Sequence, residues 1–201
     1  EEIIKRKLDI TWEGLTRATL VDRELFQIMR KAGFVRVSFG IESGNPEILK
    51  GLNRNVTLED VEKAIEMAKE AGIVTRGSIM IGLPNDTRKT VHETLNYVCR
   101  LKSLDQVIIN ITTPYPGTVL EEMAKKGEGG MRLLSEDVEE LRRFGNAVIE
   151  VNDLTKQDLI NLQKVGLLRF YLSSPKRIFR NLTEAGFKSA IVNSYAFVRS
   201  I

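Results

Sequence analysis

One cysteine, one histidine and one tryptophan stand among 201 residues, and prolines number only five. A lone Cys99 excludes an intrachain disulfide, and it excludes any multi-cysteine metal or iron–sulfur site built from these residues alone. A lone His92, placed between polar neighbours in a helical pattern, reads as a surface residue rather than a ligand or base. No apolar stretch reaches the roughly 18–20 uncharged residues of a membrane span. The opening "EEIIKRKLDI" lacks the apolar core of a signal peptide, so the chain reads as cytoplasmic with no membrane partner. Large charge imbalance is missing too: 30 basic against 27 acidic residues give +3, too even to argue for nucleic acid.

What is present is ordinary globular material, 42% hydrophobic and 28% charged, arranged as a repeating unit. Four β-like runs, "LDITW" (8–12), "VRVSF" (35–39), "VTRGSIMI" (74–81) and "QVIINIT" (106–112), alternate with helical patterns. The first helix has Asp22 as N-cap, Leu25, Ile28, Met29 and Ala32 as its apolar stripe, and Gly33 as its stop. The second pairs Thr57 with Asp60 in a capping box and buries Val61, Ala64, Ile65 and Ala68. The third sets Val91, Leu95, Val98 and Leu101 on one face. Such alternation predicts an α/β fold with parallel strands.

Side chains two apart share a strand face. Val37 and Phe39 therefore oppose Arg36, Ser38 and Gly40; Ile79 and Ile81 oppose Arg76, Ser78 and Met80; Ile109 and Ile111 oppose Ile108, Asn110 and Thr112. In the first run Leu8, Ile10 and Trp12 oppose Asp9 and Thr11. One face is apolar and the other largely polar, so helices should cover one side and leave a hydrophilic concave wall. Ligands of βα architectures bind at the carboxyl ends of the strands. Here those ends read "WEG", "FGIESG", "IGLPNDT" and "TTPYPGT".

"FVRVSFGIESGNPEILKGLNRNVTLEDVEKAIEMAKEAGI", then "GSIMIGLPNDT" and "ITTPYPGTVLEEMAKKG", resemble the later part of the radical S-adenosylmethionine (radical SAM) superfamily, from about residue 6 to 128. The resemblance implies a partial TIM-type (β/α) barrel over 1–128, of which this chain supplies about four βα units. A mainly helical C-terminal extension over 129–201 would follow. The tail "LTKQDLINLQKVGLLRFYLSSPKRIFRNL" resembles members with a cobalamin-binding domain, so cobalamin joins S-adenosylmethionine and a 4Fe–4S cluster as an implied cofactor. The family's cluster-binding CxxxCxxC loop has no match here. The chain thus reads as a fragment, with no catalytic residue or metal ligand of its own and inactive by itself.

In the family, the residue matching Glu42 approaches the cofactor's ribose hydroxyls, and the arginine matching Arg54 pairs with its methionine carboxylate. By the same resemblance Ser38, Ser78, Thr112 and Thr113 are cofactor contacts, while Gly82 and Pro84 belong to a turn packed near the adenosyl group. Residues 111–114 match a strand end where backbone meets adenine. Arg36, Arg76 and Asn110 could line the substrate side, and Arg17 the upper rim. The implied activity is reductive cleavage of S-adenosylmethionine to a 5′-deoxyadenosyl radical for C–H chemistry on a small molecule, with an external electron donor. A methylthiotransferase acting on tRNA or a ribosomal protein shares the barrel. That type ends in a small β domain, whereas "KQDLINLQKVGLLRFYL" places Leu159, Leu162, Val165, Gly166 and Leu168 at near-helical spacing, and "AVIEV" offers one short strand at most. A non-catalytic βα binding module is the reading from another class. Open sheet edges would favour self-association.

Overall fold

Local caps start the helices where the sequence marks them. Asp22 accepts from the Leu25 amide at 2.8 Å, and Thr57 and Asp60 close a reciprocal capping box. The computed structural model describes residues 1–52 and 55–184. In chain order these are α1 (Glu2–Lys5), β1 (Trp12–Thr16), α2 (Arg23–Lys31), β2 (Phe34–Glu42), α3 (Pro46–Gly51), α4 (Leu58–Glu70), β3 (Val74–Ile81), α5 (Arg88–Arg100), β4 (Gln106–Ile111) and α6 (Val119–Lys126). Beyond them lie β5 (Met131–Leu133), β6 (Ile149–Val151), α7 (Lys156–Leu172) and α8 (Pro175–Glu184).

The first four strands form one parallel sheet in the order β1-β2-β3-β4. Phe39, Ile41, Ile79, Ile81, Ile109 and Ile111 are fully buried, beneath Val61, Ala64 and Ile65 of α4 and Val91, Leu95 and Val98 of α5. Ser38, Ser78 and Ile108 on the opposite face are only half-buried. The one-sided sheet expected from the strand period is observed, within the α/β partial barrel that the resemblance implies.

Two registers differ from the sequence expectation. The first strand runs Trp12–Thr16 rather than 8–12, and Leu8 and Ile10 are exposed. Trp12 pairs with Phe34, the first residue of β2, so residues 8–11 lie below the sheet's edge with no strand to join. The Trp12 indole donates to Ala32 O at 2.8 Å and its ring meets Phe34 at 4.4 Å, which fixes this register. In α2 Phe26 is the buried anchor and Leu25 is exposed, while Met29 and Ala32 of the expected stripe still face the core; the larger aromatic takes Leu25's place.

The chain beyond α6 shares the same core. Two short strands, not one, pair antiparallel as β5 and β6. Helix α7 buries Leu159, Ile160, Leu162, Gln163, Gly166 and Phe170, while Val165 and Leu168 face outward. Gly166 is required by closeness: a Cβ there would lie 2.7 Å from Leu95 Cδ2 and 2.9 Å from Ile109 Cδ1. Gln163 is 3% exposed and has three partners. It donates to Ile109 O at 2.7 Å and Arg143 O at 2.8 Å, and accepts from the Gly145 amide at 2.9 Å. The Ile111 amide meets Arg143 O at 3.0 Å. The outer edge of β4 is thus satisfied by a loop and a glutamine rather than another strand. Among the described residues, β1 has no strand on its outer side.

Arg177 locks α8 to this assembly. It is 5% exposed, and its guanidinium lies 4.0 Å over the Phe170 ring. It donates to Leu104 O, Cys99 O, Leu101 O and Phe170 O, and to Ser173 Oγ. Cys99 O and Leu101 O lie at the carboxyl end of α5, where a cation is favoured. Burial holds its pKa below the usual arginine value. Arg177→Ala strands several buried carbonyls and should cost about 2–4 kcal/mol in a urea melt. Arg177→Lys, lacking the planar fork, should recover only part of that; full recovery would refute the fork's role.

Candidate functional site

The carboxyl ends of β2, β3 and β4 lie at one end of the sheet. At β2 the pairing with β3 slips between Gly40 and Glu42, and Glu42 takes a left-handed backbone, φ 63°. A non-glycine residue persists there only when its surroundings impose it. Helix α5 does the imposing. Thr94 Oγ1 accepts from the Gly44 amide at 2.9 Å and lies 3.1 Å from Ser43 Oγ, which accepts from the Asn45 amide. Asn45 donates to Glu93 at 2.6 Å and caps α3 through the Ile48 amide at 2.9 Å, with Pro46 fitted to the first turn. Gly44 fits because a Cβ would lie 2.6 Å from Tyr97 Cβ and 2.8 Å from Thr94 Cα. Ser43, Gly44 and Asn45 of "ESGNP" are therefore held by α5, which fixes the backbone directly after Glu42.

The loop after β3 is built around Asp86, which is 2% exposed. Its carboxylate accepts from the Leu83 amide at 3.0 Å and from Thr90 Oγ1 at 2.6 Å. Burial pushes its pKa upward, with those hydrogen bonds opposing. Gly82 has φ 79°, and a Cβ would lie 3.1 Å from Leu159 Cδ2, so α7 packs directly on this turn. Pro84 sits against Gly129, where a Cβ would lie 2.7 Å from Pro84 Cβ.

At the end of β4 the Thr112 amide donates to Ile81 O at 2.9 Å, but Thr112 Oγ1 is buried without a hydrogen-bond partner. Such a hydroxyl costs on the order of 1–3 kcal/mol unless something meets it. Thr113, also buried, returns its hydroxyl to Ile111 O at 3.1 Å. Below them on the same face, Asn110 donates to Ser78 Oγ at 3.0 Å. Lower still, Arg36 pairs with Glu13 at 2.8 Å, with its Nε buried and unpartnered, and Arg76 Nε donates to Gln106 at 3.0 Å.

Glu42, Ser38, Ser78, Thr112 and Thr113 thus come from three adjacent strands or their ends, and the loop carrying Gly82 and Pro84 closes the same rim. Arg54 lies outside the described residues. Arg17 is exposed just after β1, and His92 is exposed on α5. Sequence reasoning missed Thr94 and Asp86, the residues that hold the two loops. Their only signal was polarity at positions that helix and turn patterns leave apolar or exposed.

A three-cysteine cluster does not fit this donor set. Cys99, the sole cysteine of the chain, is half-buried in α5 against the hydrophobic core. Among the described residues no group of three or more His, Cys, Asp or Glu side chains could hold a metal ion. An adenosine-bearing ligand fits better, since the orphaned Thr112 hydroxyl offers it a hydrogen bond at this end of the sheet. A cavity of about 900 Å³ lies elsewhere, between Lys102–Asp105 and the start of α8. It is bounded by structural groups such as Lys69, Asp105 and Arg177.

The profile of the Radical SAM superfamily matches residues 1–98. The chain is 30% identical over 177 residues to an uncharacterized methyltransferase of Pyrococcus horikoshii, covering 88% of this chain and 37% of that protein. It is 36% identical over 131 residues to the anaerobic magnesium-protoporphyrin IX monomethyl ester cyclase of Rubrivivax gelatinosus, covering 64% of this chain and 23% of that one. Among solved structures, the radical S-adenosylmethionine methyltransferase TsrM of Kitasatospora setae superposes with a TM-score of 0.57 at 21% identity, over 68% of this chain and 29% of TsrM. The chain therefore spans well under half of these relatives. With the superfamily profile matched over residues 1–98 and the parallel half-barrel observed, the chain belongs to the radical SAM superfamily.

Proposed function

We propose that this chain forms the S-adenosylmethionine-binding wall of a radical SAM enzyme of the methyltransferase or cyclase type. The observation that carries this reading is the buried Thr112 hydroxyl without a partner, at the same sheet end where Glu42 is held at φ 63°. The Glu42 carboxylate suits a ribose diol, which donates two hydrogen bonds. Thr112, Thr113, Ser38 and Ser78 offer hydroxyls along the same wall, and Gly82 and Pro84 shape its rim. Arg54 is assigned by resemblance to the methionine carboxylate, for which a guanidinium fork is matched.

When bound and reduced, S-adenosylmethionine supplies a hydrogen-abstracting carbon radical for C–H chemistry. The residues of this chain bind, orient and keep water away; none moves a proton. The cluster that such chemistry needs is not assembled from these 201 residues, and no residue here is assigned to it or to cobalamin. The methyltransferase type is favoured over a methylthiotransferase because the P. horikoshii match, at 177 of 201 residues, necessarily runs through β5, β6 and α7.

Two expected outcomes follow from isothermal titration with S-adenosylmethionine. Glu42→Gln should weaken binding about tenfold or more, as loss of charged hydrogen bonds does. Thr112→Val should weaken it about fivefold yet leave the melting temperature of the free chain unchanged or higher, since the hydroxyl has no partner to lose. A wild-type chain that takes up no S-adenosylmethionine, or a Thr112→Val variant that melts earlier and binds as before, would count against the assignment.

A further inference from the structure

We infer that the turn at Asn152–Asp153 is a latch whose residues position the strand-end loop Gly82–Thr87 for its ligand; this rests on the binding reading above. Two groups of the loop and the first amide of α5, which the sheet leaves unsatisfied, are met from the segment after α6. The Asn85 amide donates to Gly129 O at 2.7 Å. Asp86 O accepts from Asn152 Nδ2 at 2.7 Å. The Arg88 amide, in the first turn of α5, donates to Asp153 Oδ1 at 2.9 Å.

The latch is itself tightly determined. Asn152 has φ 49°, a left-handed conformation that asparagine tolerates better than most residues. Its amide donates to Gly130 O at 2.9 Å, and a Cβ on Gly130 would stand 2.0 Å from Asn152 Oδ1. Val151 and Leu154 close the turn by exchanging backbone hydrogen bonds at 3.1 and 2.9 Å. Arg88 further pairs with Asp158 of α7 at 2.8 Å, and Leu159 seats on Gly82. On the loop side Asn85 is also left-handed, φ 67°. Two non-glycine residues in that conformation, one on each side of the hydrogen-bonded seam, hold a shape that neither would keep alone.

The consequence is that residues remote in sequence set the rim of the cofactor wall. Asn152 acts through Asp86 and the loop backbone, so it is a positioning residue. Its loss should act on the loop before it acts on the fold.

The test compares the wild-type chain with Asn152→Gly, which keeps the left-handed backbone and deletes the side-chain donor. Backbone amide hydrogen exchange is measured without ligand, then S-adenosylmethionine affinity by calorimetry. Exchange at Leu83 and Asn85–Asp86 should quicken about five- to tenfold, the worth of one hydrogen bond, while amides of α2 and β2 are unchanged. Affinity should fall by a comparable factor. Unchanged loop exchange, or faster exchange spread evenly over the sheet, would overturn the latch. Faster loop exchange with unaltered affinity would overturn its positioning role. If the wild-type chain binds no S-adenosylmethionine, the functional reading fails while the exchange comparison still decides the latch.

Discussion

Residues two apart on a strand share a face, and in β2, β3 and β4 that rule sends Phe39, Ile79 and Ile109 one way and Ser38, Ser78 and Asn110 the other. The apolar side is large enough to hold α4 and α5 by burial alone. Completely burying each Phe or Ile contributes about 1.5–3 kcal/mol. The hydrophilic side then has nothing to gain from a second helical layer, which would strand Ser78, Asn110 and the two arginines in an apolar setting. A one-sided sheet is therefore the arrangement these strands support. Its open wall is a consequence of that asymmetry, available to a polar ligand.

One helix ties this wall to its rim. Helix α5 covers the apolar face with Val91, Leu95 and Val98, and from its other positions holds both loops that matter. Thr94 and Glu93 secure the turn after Glu42; Thr87 and Thr90, with Asp86, secure the turn after Ile81. Tyr97 extends the brace to Leu58 O at 3.0 Å, its phenol pushed upward in pKa mainly by burial. Geometry at two strand ends thus depends on one rigid element, which is the way a strained conformation such as that of Glu42 survives.

Much of this was legible in the sequence for reasons of period and capping. The β3 boundaries, the Asp22 cap, the Thr57–Asp60 box and the stripes of α4 and α5 are local patterns that tertiary contacts did not override. What was not legible depended on partners far along the chain. The start of β1 was set by where β2 begins, and Phe26 displaced Leu25 because the interior had room for an aromatic. Gln163 and Arg177 look like surface residues of a helical pattern, yet each is buried among carbonyls that include ones supplied from 20 to 78 residues away. At the site, Glu42 and Thr112 were reached through strand ends and resemblance. Thr94 and Asp86 became visible only with the loops they hold.

The segment after α6 is more than an appendage to the half-barrel. Met131, Ala147, Ile149, Val151 and Leu159 belong to the same continuous hydrophobic cluster as Ile81, Ile109 and Ile111. A carbonyl of Arg143 and the side chain of Gln163 complete the backbone bonding of β4. Removing this segment would expose apolar area and unpair an edge strand at once, both larger effects than loss of any surface ion pair. The polar contacts made to residues 85–88 accompany that packing, since Leu159 seats on Gly82 while the turn at Asn152 meets Asp86. Stability of the sheet's last strand and shape of the strand-end rim are therefore consequences of the same docking event, and a change that loosens one should be felt in the other.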